Sequence, residues 1–434
     1  MNSVSCGGRE CPLMKANVLI AGGGVIGSAL AWALAERGVS DVMVVDLDLA
    51  GLYASSELNA GGARATWWQA VNVETCAATL DFFRLHRDEF SFQERGYLWL
   101  HGDPALFEVA KEKRALQNDF GLGVEILTPI EVADRFPVLD ADPARLVGAT
   151  FSPRDGLVNP NAVRQWFRRE AESLGVRFLN RHYVSGVSTA RQPRSQRRVN
   201  WVEVTEIAGR DPMDSEGSIR EILTTHVLPP DVVESRERVD CDVIVNCLGA
   251  WSPLFSAKVG ISDVTEPTRR QICMLSVQHE DPERVKELLS LGMVVDASSL
   301  YFHPEGSDIL AGYSIPAEAP GFDFHYDGES FFMEHIWPRL AECSSVFERS
   351  KHVRGWSGLY AVTPDRSGIA GPVTGFTNLF EAHSFTGRGV MQSHGVATAL
   401  AEWIDIGKPR GRIASMNRDR FVDRSKWLVE DLHI

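Results

Sequence analysis

Residues Asn17 to Asp46 read NVLIAGGGVIGSALAWALAERGVSDVMVVD, and this stretch decides the fold. Asn17 to Ala21 is a short apolar run of the kind that forms a buried strand. It leads into Gly22-x-Gly24-x-x-Gly27, then into a helical stretch that closes near Arg37-Gly38. A second apolar run, Val42 to Val45, ends on Asp46. The three glycines have separate tasks: Gly22 for a tight turn, Gly24 for close approach of a pyrophosphate, Gly27 for close packing of helix on strand. The amides of Val25 and Ile26 head the helix, where free N–H groups and the dipole favour an anion. Asp46 stands where a carboxylate accepts hydrogen bonds from a ribose. Strand, helix, second strand and terminal acid fall at the spacing of a βαβ dinucleotide-binding unit. Val18 to Ala35 behind Lys15 also has the length of a membrane helix or signal core. Three consecutive glycines and the strand-like continuation argue against that, and the reading predicts no transmembrane segment.

The chain has 434 residues, enough for two or more domains. It is 44% hydrophobic and 24% charged, within the range of soluble globular proteins. A net charge of −14 disfavours nucleic acid and anionic membrane as partners. The seven cysteines form no CxxC pair and no cluster with metal-ligand spacing, so reduced thiols in a cytoplasmic protein and no metal are expected.

No linker divides the chain. Helical patterning covers Val73 to Phe90, Pro104 to Phe120, Pro129 to Phe136 and Ala162 to Leu174, the last preceded by an Asn159-Pro160 cap. Gly96 to Leu100, Val176 to Leu179, Val239 to Cys247, Met274 to Val277, Leu300 to His303, Asp308 to Tyr313 and Asn378 to Ala382 read as strands. Residues 190–238 are polar and read as an extended hairpin or insertion on the dinucleotide domain. Thr386-Gly387-Arg388-Gly389 makes a second strand–glycine–helix junction, followed by a helix to about Ile404.

Five separated segments carry a resemblance: Gly22 to Gly27; Ser55-Ser56-Glu57-Leu58-Asn59-Ala60-Gly61-Gly62; Asn246-Cys247-Leu248-Gly249-Ala250-Trp251; Gly358-Leu359-Tyr360 with Thr363-Pro364-Asp365; and Phe385 to Gly389. In this order they resemble the D-amino-acid oxidase superfamily of flavoproteins, which includes glycine oxidase, sarcosine oxidase, dimethylglycine dehydrogenase and D-amino-acid dehydrogenase. The run Asn59 to Arg64 is similar to that of a mitochondrial FAD-dependent oxidoreductase branch. The resemblance spans about residues 17–400. It implies an α/β fold: a Rossmann-type FAD-binding domain interleaved with a sheet-based α+β substrate domain. The expected assignment is 1–16 as an extension, 17–75, 151–265 and 355–434 as FAD domain, and 76–150 and 266–354 as substrate domain.

By the same resemblance Gly22, Gly24, Val25, Ile26 and Gly27 cradle the pyrophosphate and Asp46 the adenosine ribose. Ser55, Ser56, Asn59, Ala60, Gly61 and Gly62 lie along the pyrophosphate and flavin edge. Val184 offers its backbone to adenine, and Leu248, Gly249 and Trp251 close over the phosphates. Gly387, Arg388, Gly389 and Val390 place N–H groups beside the flavin, where charge develops on reduction. Two departures stand out. Relatives that attach flavin covalently use a His where this chain has Asn59, or a Cys where it has Gly358, so non-covalent FAD is expected. Leu310 and Met391 occupy places where sarcosine oxidase carries lysines.

Hydride removal from an amine needs positioning more than acid–base machinery. A cation for a substrate carboxylate and an aromatic wall are therefore sought. Arg64 follows the flavin-edge glycines, and a guanidinium there holds a carboxylate bidentately, unless it serves a structural ion pair. Arg354 is a second candidate. Tyr301 and His303 share one face of a strand at i, i+2, although His303 also fits a core residue with a satisfied ring. Trp67 and Trp68 suit a cavity wall or the core. The expected activity is FAD-dependent oxidation of an amino acid or N-substituted amino acid to an imine. The expected partners are that amino-acid-like substrate and an electron acceptor such as O2, a quinone or another carrier, with homo- or hetero-oligomerisation open. A 2-hydroxy-acid dehydrogenase and a flavoprotein assembly factor are the alternatives.

Overall fold

A computed structural model of the chain describes residues 13–140, 145–208, 212–316 and 318–431. The chain divides into two compact units. One comprises the segment ending at Glu57 with Val163–Pro267 and Tyr360–Leu428; the other comprises Leu58–Ala162, Thr268–Leu359 and the segment from Val429 onward.

The first unit is built on β1 (Leu13–Ala21), α1 (Val25–Glu36) and β2 (Val42–Asp46). The central sheet runs in the order Ile369–Pro372, Leu379–His383, Val233–Asn246, β1, β2, Arg177–Asn180. β1 pairs in parallel with β2 and with Val233–Asn246, with Val18 opposite both Val42 and Val243. Its Val18, Leu19, Ile20 and Ala21 are all buried, as a parallel strand covered on both faces requires. α1 and the helix Gly389–Ile406 pack together, and Arg37 ties to Asp405 at 2.8 Å.

One expectation is corrected in this unit and one is given detail. Of the extension expected at 1–16, residues 1–12 lie outside the described residues and 13–16 are not loose. They begin β1, because the long strand Val233–Asn246 pairs as far back as Leu13 opposite Arg238. The polar stretch 190–238 is more than a hairpin. Strands His182–Arg191, Arg197–Ile207 and Val233–Asn246 form an antiparallel run, interrupted by the helix Pro212–Thr225. That helix buries Ile219 and Ile222 with Leu47 and Ile207, an apolar stripe too sparse to stand out from sequence.

The second unit holds an eight-stranded sheet in the order Lys351–Val362, Glu266–Ser276, Asp308–Tyr313, Tyr301–Glu305, Met293–Val295, Tyr97–His101, Gly148–Ser152, Glu125–Leu127; the first strand belongs to this unit as far as Leu359. Side chains alternate between its faces. Leu98, Leu100, Val294, Phe302, Ile309 and Ala311 pack with Phe331, Phe332, Ile336 and Leu340 on one side. The other face carries Tyr97, Trp99, Met293, Val295, Tyr301 and Leu310, packed with Trp68 and Leu157.

Residues 58–75 and 151–162, assigned from sequence to the cofactor domain, sit in this second unit. The cause is local. Gly62–Ala63 pairs antiparallel with Gly156–Leu157, and Val158 N–H donates to Gly61 O at 2.8 Å. The helix expected at Val73–Phe90 spans Ala70–Leu85, capped by the buried Glu430 carboxylate, which accepts from Trp68 N and Gln69 N, both at 2.9 Å. Among the described residues no helix is long and apolar enough to cross a membrane, and no cluster of His, Cys, Asp or Glu has metal-site geometry.

Candidate functional site

In the first unit the glycine loop leaves β1 at Gly22, whose φ of 104° suits glycine. A Cβ on Gly22 would lie 2.5 Å from the Cys247 carbonyl oxygen, and one on Gly27 would collide with the Gly22 carbonyl. Gly24 is different: the nearest atom to its Cβ position is Ser56 Oγ, at 3.9 Å. So two glycines close the fold locally while the third leaves space. Ser56 is 7% exposed, and its Oγ has no hydrogen-bond partner among the described residues. α1 begins there with no side-chain cap. A buried hydroxyl left unsatisfied costs about 1–3 kcal/mol, so it marks a place for an acceptor. An uncapped helix N-terminus, an orphan hydroxyl and an open Cα together fit a pyrophosphate.

Asp46, expected at the ribose, is tied to the glycine loop. Its carboxylate accepts from Gly23 N at 2.5 Å and Asp48 N at 2.7 Å, tying the glycine loop to the end of β2. Burial pushes its pKa up, opposed by those two hydrogen bonds. A carboxylate has about four lone-pair sites, so acceptor capacity remains. Ser28 Oγ donates to Gly23 O at 2.9 Å from the opposite side. The following loop is pinned by Arg164, which donates to Leu49 O at 2.8 Å and Ala50 O at 3.0 Å and pairs with Glu57. Ser28 and Arg164 were not legible as site-forming residues: each lies on a helix where buried polar groups carry no sequence signature.

Among the other expected contacts, Ser55 is exposed and Val184 is buried in its strand opposite Val204. Leu248 packs on the apolar core of the same unit. Gly249 has φ 54°, and Trp251 is half-buried, its Nε1 donating to Leu223 O at 2.8 Å. The second glycine junction is tightly bent: Ser384, Thr386 and Gly387 have φ of 61°, 46° and 81°. A Cβ on Gly387 would lie 2.6 Å from the Tyr360 ring. The helix Gly389–Ile406 follows without a side-chain cap, with Arg388 and Val390 buried at its start. His383 Nδ1 lies 2.6 Å from Ser384 Oγ, which lies 2.6 Å from Thr265 Oγ1, a donor to Asp263 at 2.6 Å. Burial alone would raise the Asp263 pKa, but His383, Thr265, Ser256 and Arg418 hold it well below the carboxylate range.

In the second unit the turn Leu58–Gly62 lies against the aromatic face of the sheet. Asn59 Oδ1 accepts from Gly61 N at 2.6 Å. Gly61 has φ 70°, and a Cβ there would lie 2.6 Å from Val158 O. Trp356 Nε1 donates to Leu58 O at 3.1 Å, and His303 Nε2 lies 2.7 Å from Ala60 O. A Cβ on Gly358 would lie 2.9 Å from the Leu58 Cβ, and one on Gly62 3.1 Å from Met293 Cε. The turn is therefore seated by shape as well as by hydrogen bonds. Trp356 was missed, although it sits inside the Arg354–Gly358 run.

Arg64 lies enclosed, the arrangement of the structural alternative. It is 1% exposed, and its guanidinium carbon lies 3.4 Å from the Trp67 ring centroid and 4.5 Å from that of Trp99. Nη1 donates to Thr66 O at 3.1 Å. Asp155, buried beside it, accepts from Ala65 N and Thr66 Oγ1, both at 2.9 Å. Burial raises the Asp155 pKa to about 6 despite those hydrogen bonds and the nearby Arg64 charge. The guanidinium fork expected to face substrate is enclosed by aromatic rings. Arg354 is the contrast: exposed, with Nε on Met274 Sδ at 3.3 Å and its guanidinium carbon 5.9 Å from the Trp356 ring centroid. Tyr301 and His303 do share a face. Tyr301 packs across Gly312, where a Cβ would lie 2.8 Å from its Cε1, while His303 reaches the Ala60 carbonyl.

Residues 17–403 match the sequence family described as FAD dependent oxidoreductase. The chain belongs to that family. It is similar to FAD-dependent oxidoreductase domain-containing protein 1 of Xenopus laevis, 28% identical over 98% of this chain and 85% of the relative. Its fold is shared with L-proline dehydrogenase from P. horikoshii, with a TM-score of 0.76 and 22% identity over 95% of this chain and 99% of that one. Glycine oxidase from Geobacillus kaustophilus gives a TM-score of 0.70 and 20% identity over 93% and 98% of the two chains. The α/β fold of FAD-binding proteins expected from the family resemblance is thus present.

Proposed function

We propose that this FAD-dependent oxidoreductase oxidises the C–N bond of an amino acid or N-substituted amino acid to an imine. The observation that carries the reading is Arg354: an exposed guanidinium beside Trp356, on the strand that also holds the Leu58 carbonyl. Bound FAD supplies the two-electron oxidant. The amides at the start of α1 and the Ser56 hydroxyl hold its pyrophosphate, and Asp46 accepts from the ribose. Amides of Gly387 to Val390 supply donors where negative charge develops. Arg354 takes the substrate carboxylate bidentately, a geometry that an ammonium cannot copy. Tyr301 and Trp356 form the wall that orients the α-carbon. The substrate would enter as the neutral amine; its α C–H hydrogen would leave as hydride, which bound FAD would accept, the nitrogen lone pair would form the C=N bond, and loss of the N–H proton to water would give the imine.

Non-covalent attachment fits the same residues. Asn59 spends its side-chain oxygen on Gly61 N, and its carboxamide is no nucleophile at neutral pH. At Gly358 even a Cβ crowds Leu58. Acid precipitation that leaves the yellow colour in the supernatant supports this; flavin retained in the pellet contradicts it. The substrate class is tested by anaerobic addition of amino acids, N-methyl amino acids and 2-hydroxy acids. Bleaching by the nitrogen compounds alone supports the reading, and bleaching by hydroxy acids alone overturns it.

A further inference from the structure

His303 has no place in the chemistry above, yet its surroundings are specific. The ring is 1% exposed on the strand Tyr301–Glu305, and each nitrogen faces a carbonyl: Nε2 that of Ala60 at 2.7 Å, Nδ1 that of Pro304 at 2.8 Å. A carbonyl only accepts and a neutral ring carries one N–H, so the tautomer with hydrogen on Nε2 donates to Ala60 O and leaves Nδ1 without a donor for Pro304 O. The Pro304 contact is with the adjacent residue and is a local consequence of the rotamer. The Ala60 contact joins segments 243 positions apart and is the one that organises the fold. Trp356 makes the matching contact two residues earlier, at Leu58 O. The two side chains bracket Asn59, whose own oxygen closes the turn on Gly61 N. Neighbouring glycines fit the same seating: Gly358 beneath Leu58, Gly62 against Tyr97 and Met293.

We propose that His303 is a positioning residue, which with Trp356 pins the backbone of Leu58–Gly62 in the conformation that receives FAD. This rests on the reading of the chain as an FAD enzyme whose Asn59–Gly62 segment borders the cofactor. A histidine that merely filled the core would contribute to stability without distinguishing which atom its Nε2 meets. A positioning histidine is replaceable by another side chain that donates from the same place. Glutamine satisfies that condition and leucine does not.

The test compares wild type with His303→Leu, His303→Gln and Trp356→Phe. Apoprotein of each is titrated with FAD, the visible circular dichroism and midpoint potential of the bound flavin are recorded, and the thermal midpoint is measured separately on apoprotein. His303→Leu should weaken FAD binding about tenfold, the value of one buried hydrogen bond, and alter the dichroism and potential. His303→Gln should return affinity to within about threefold of wild type, and Trp356→Phe should weaken it severalfold. Wild-type affinity, dichroism and potential in His303→Leu overturn the proposal. So does a loss in His303→Gln equal to that in His303→Leu, with both following the thermal midpoint. Wild-type protein that takes up no FAD overturns the enzyme reading itself, an outcome distinct from wild type that binds FAD beside a variant that binds it equally.

Discussion

Arg64 and Trp67 lie stacked, the guanidinium carbon 3.4 Å from the indole centroid, with Trp67 Nε1 donating back to Arg64 O at 3.2 Å. The pair forms a closed structural unit with Trp99 and Asp155. Removing the guanidinium empties an aromatic cage and leaves a buried carboxylate without its nearest cation. Arg64→Ala should therefore cost about 2–4 kcal/mol of stability. The check is denaturant unfolding beside substrate titration of the folded variant. A fully stable variant with weakened substrate binding would return Arg64 to the substrate.

Asp155 gives that unit a pH signature. Its pKa rises from an ordinary 3.8 to about 6 on folding. A raised carboxyl favours the folded state while protonated, so its contribution is whole below pH 3.8 and is lost as pH rises through about 6. The full span is about 3 kcal/mol. Unfolding free energies measured between pH 4 and 7 should show this falling component in wild type and not in Asp155→Asn. Identical slopes in both proteins would contradict it.

Arg354→Ala should weaken substrate binding by about one to two powers of ten, since a charge-assisted pair contributes about 1.5–3 kcal/mol. Arg354→Lys should recover part of this, because the fork is lost while the charge stays. Flavin content and thermal midpoint should be unchanged, as Arg354 is exposed and its one hydrogen bond among the described residues is to the Met274 thioether. Substrate affinity equal to wild type in Arg354→Ala would remove it from the site.

Leu310 is buried on the aromatic face, opposite His303 and Met274 on the neighbouring strands. No cation stands at that position to assist reduction of O2. Reduced protein mixed with aerated buffer should reoxidise slowly, and an artificial quinone should reoxidise it fast. Rapid reaction with O2 would contradict this prediction.

The glycine motif, its helix and Asp46 were legible because each obeys a local rule: a positive φ at Gly22, a close approach at Gly27, a terminal acid at fixed distance. The strand carrying Tyr301 and His303 was legible from alternation. What sequence did not show depends on pairings between distant segments. The role of Arg64 turned on Trp99 and Asp155, far along the chain, and nothing near Arg64 distinguishes a caged guanidinium from an open one. Leu13–Ala16 joined β1 only because Val233–Asn246 is long enough to meet them. Trp356 and Glu430 act through backbone groups of remote segments, contacts that no motif encodes.

The central claim is that a C–N bond is oxidised, and nitrogen release measures it most directly. Holoprotein is mixed anaerobically with the amino acid or N-methyl amino acid that bleaches it fastest, quenched after one turnover, and assayed for free amine and carbonyl product. The account predicts amine and carbonyl in amounts equal to each other and to the flavin reduced. Reduction of the flavin by 2-hydroxy acids with 2-oxo acid formed, and no nitrogen released from any amine, would contradict it.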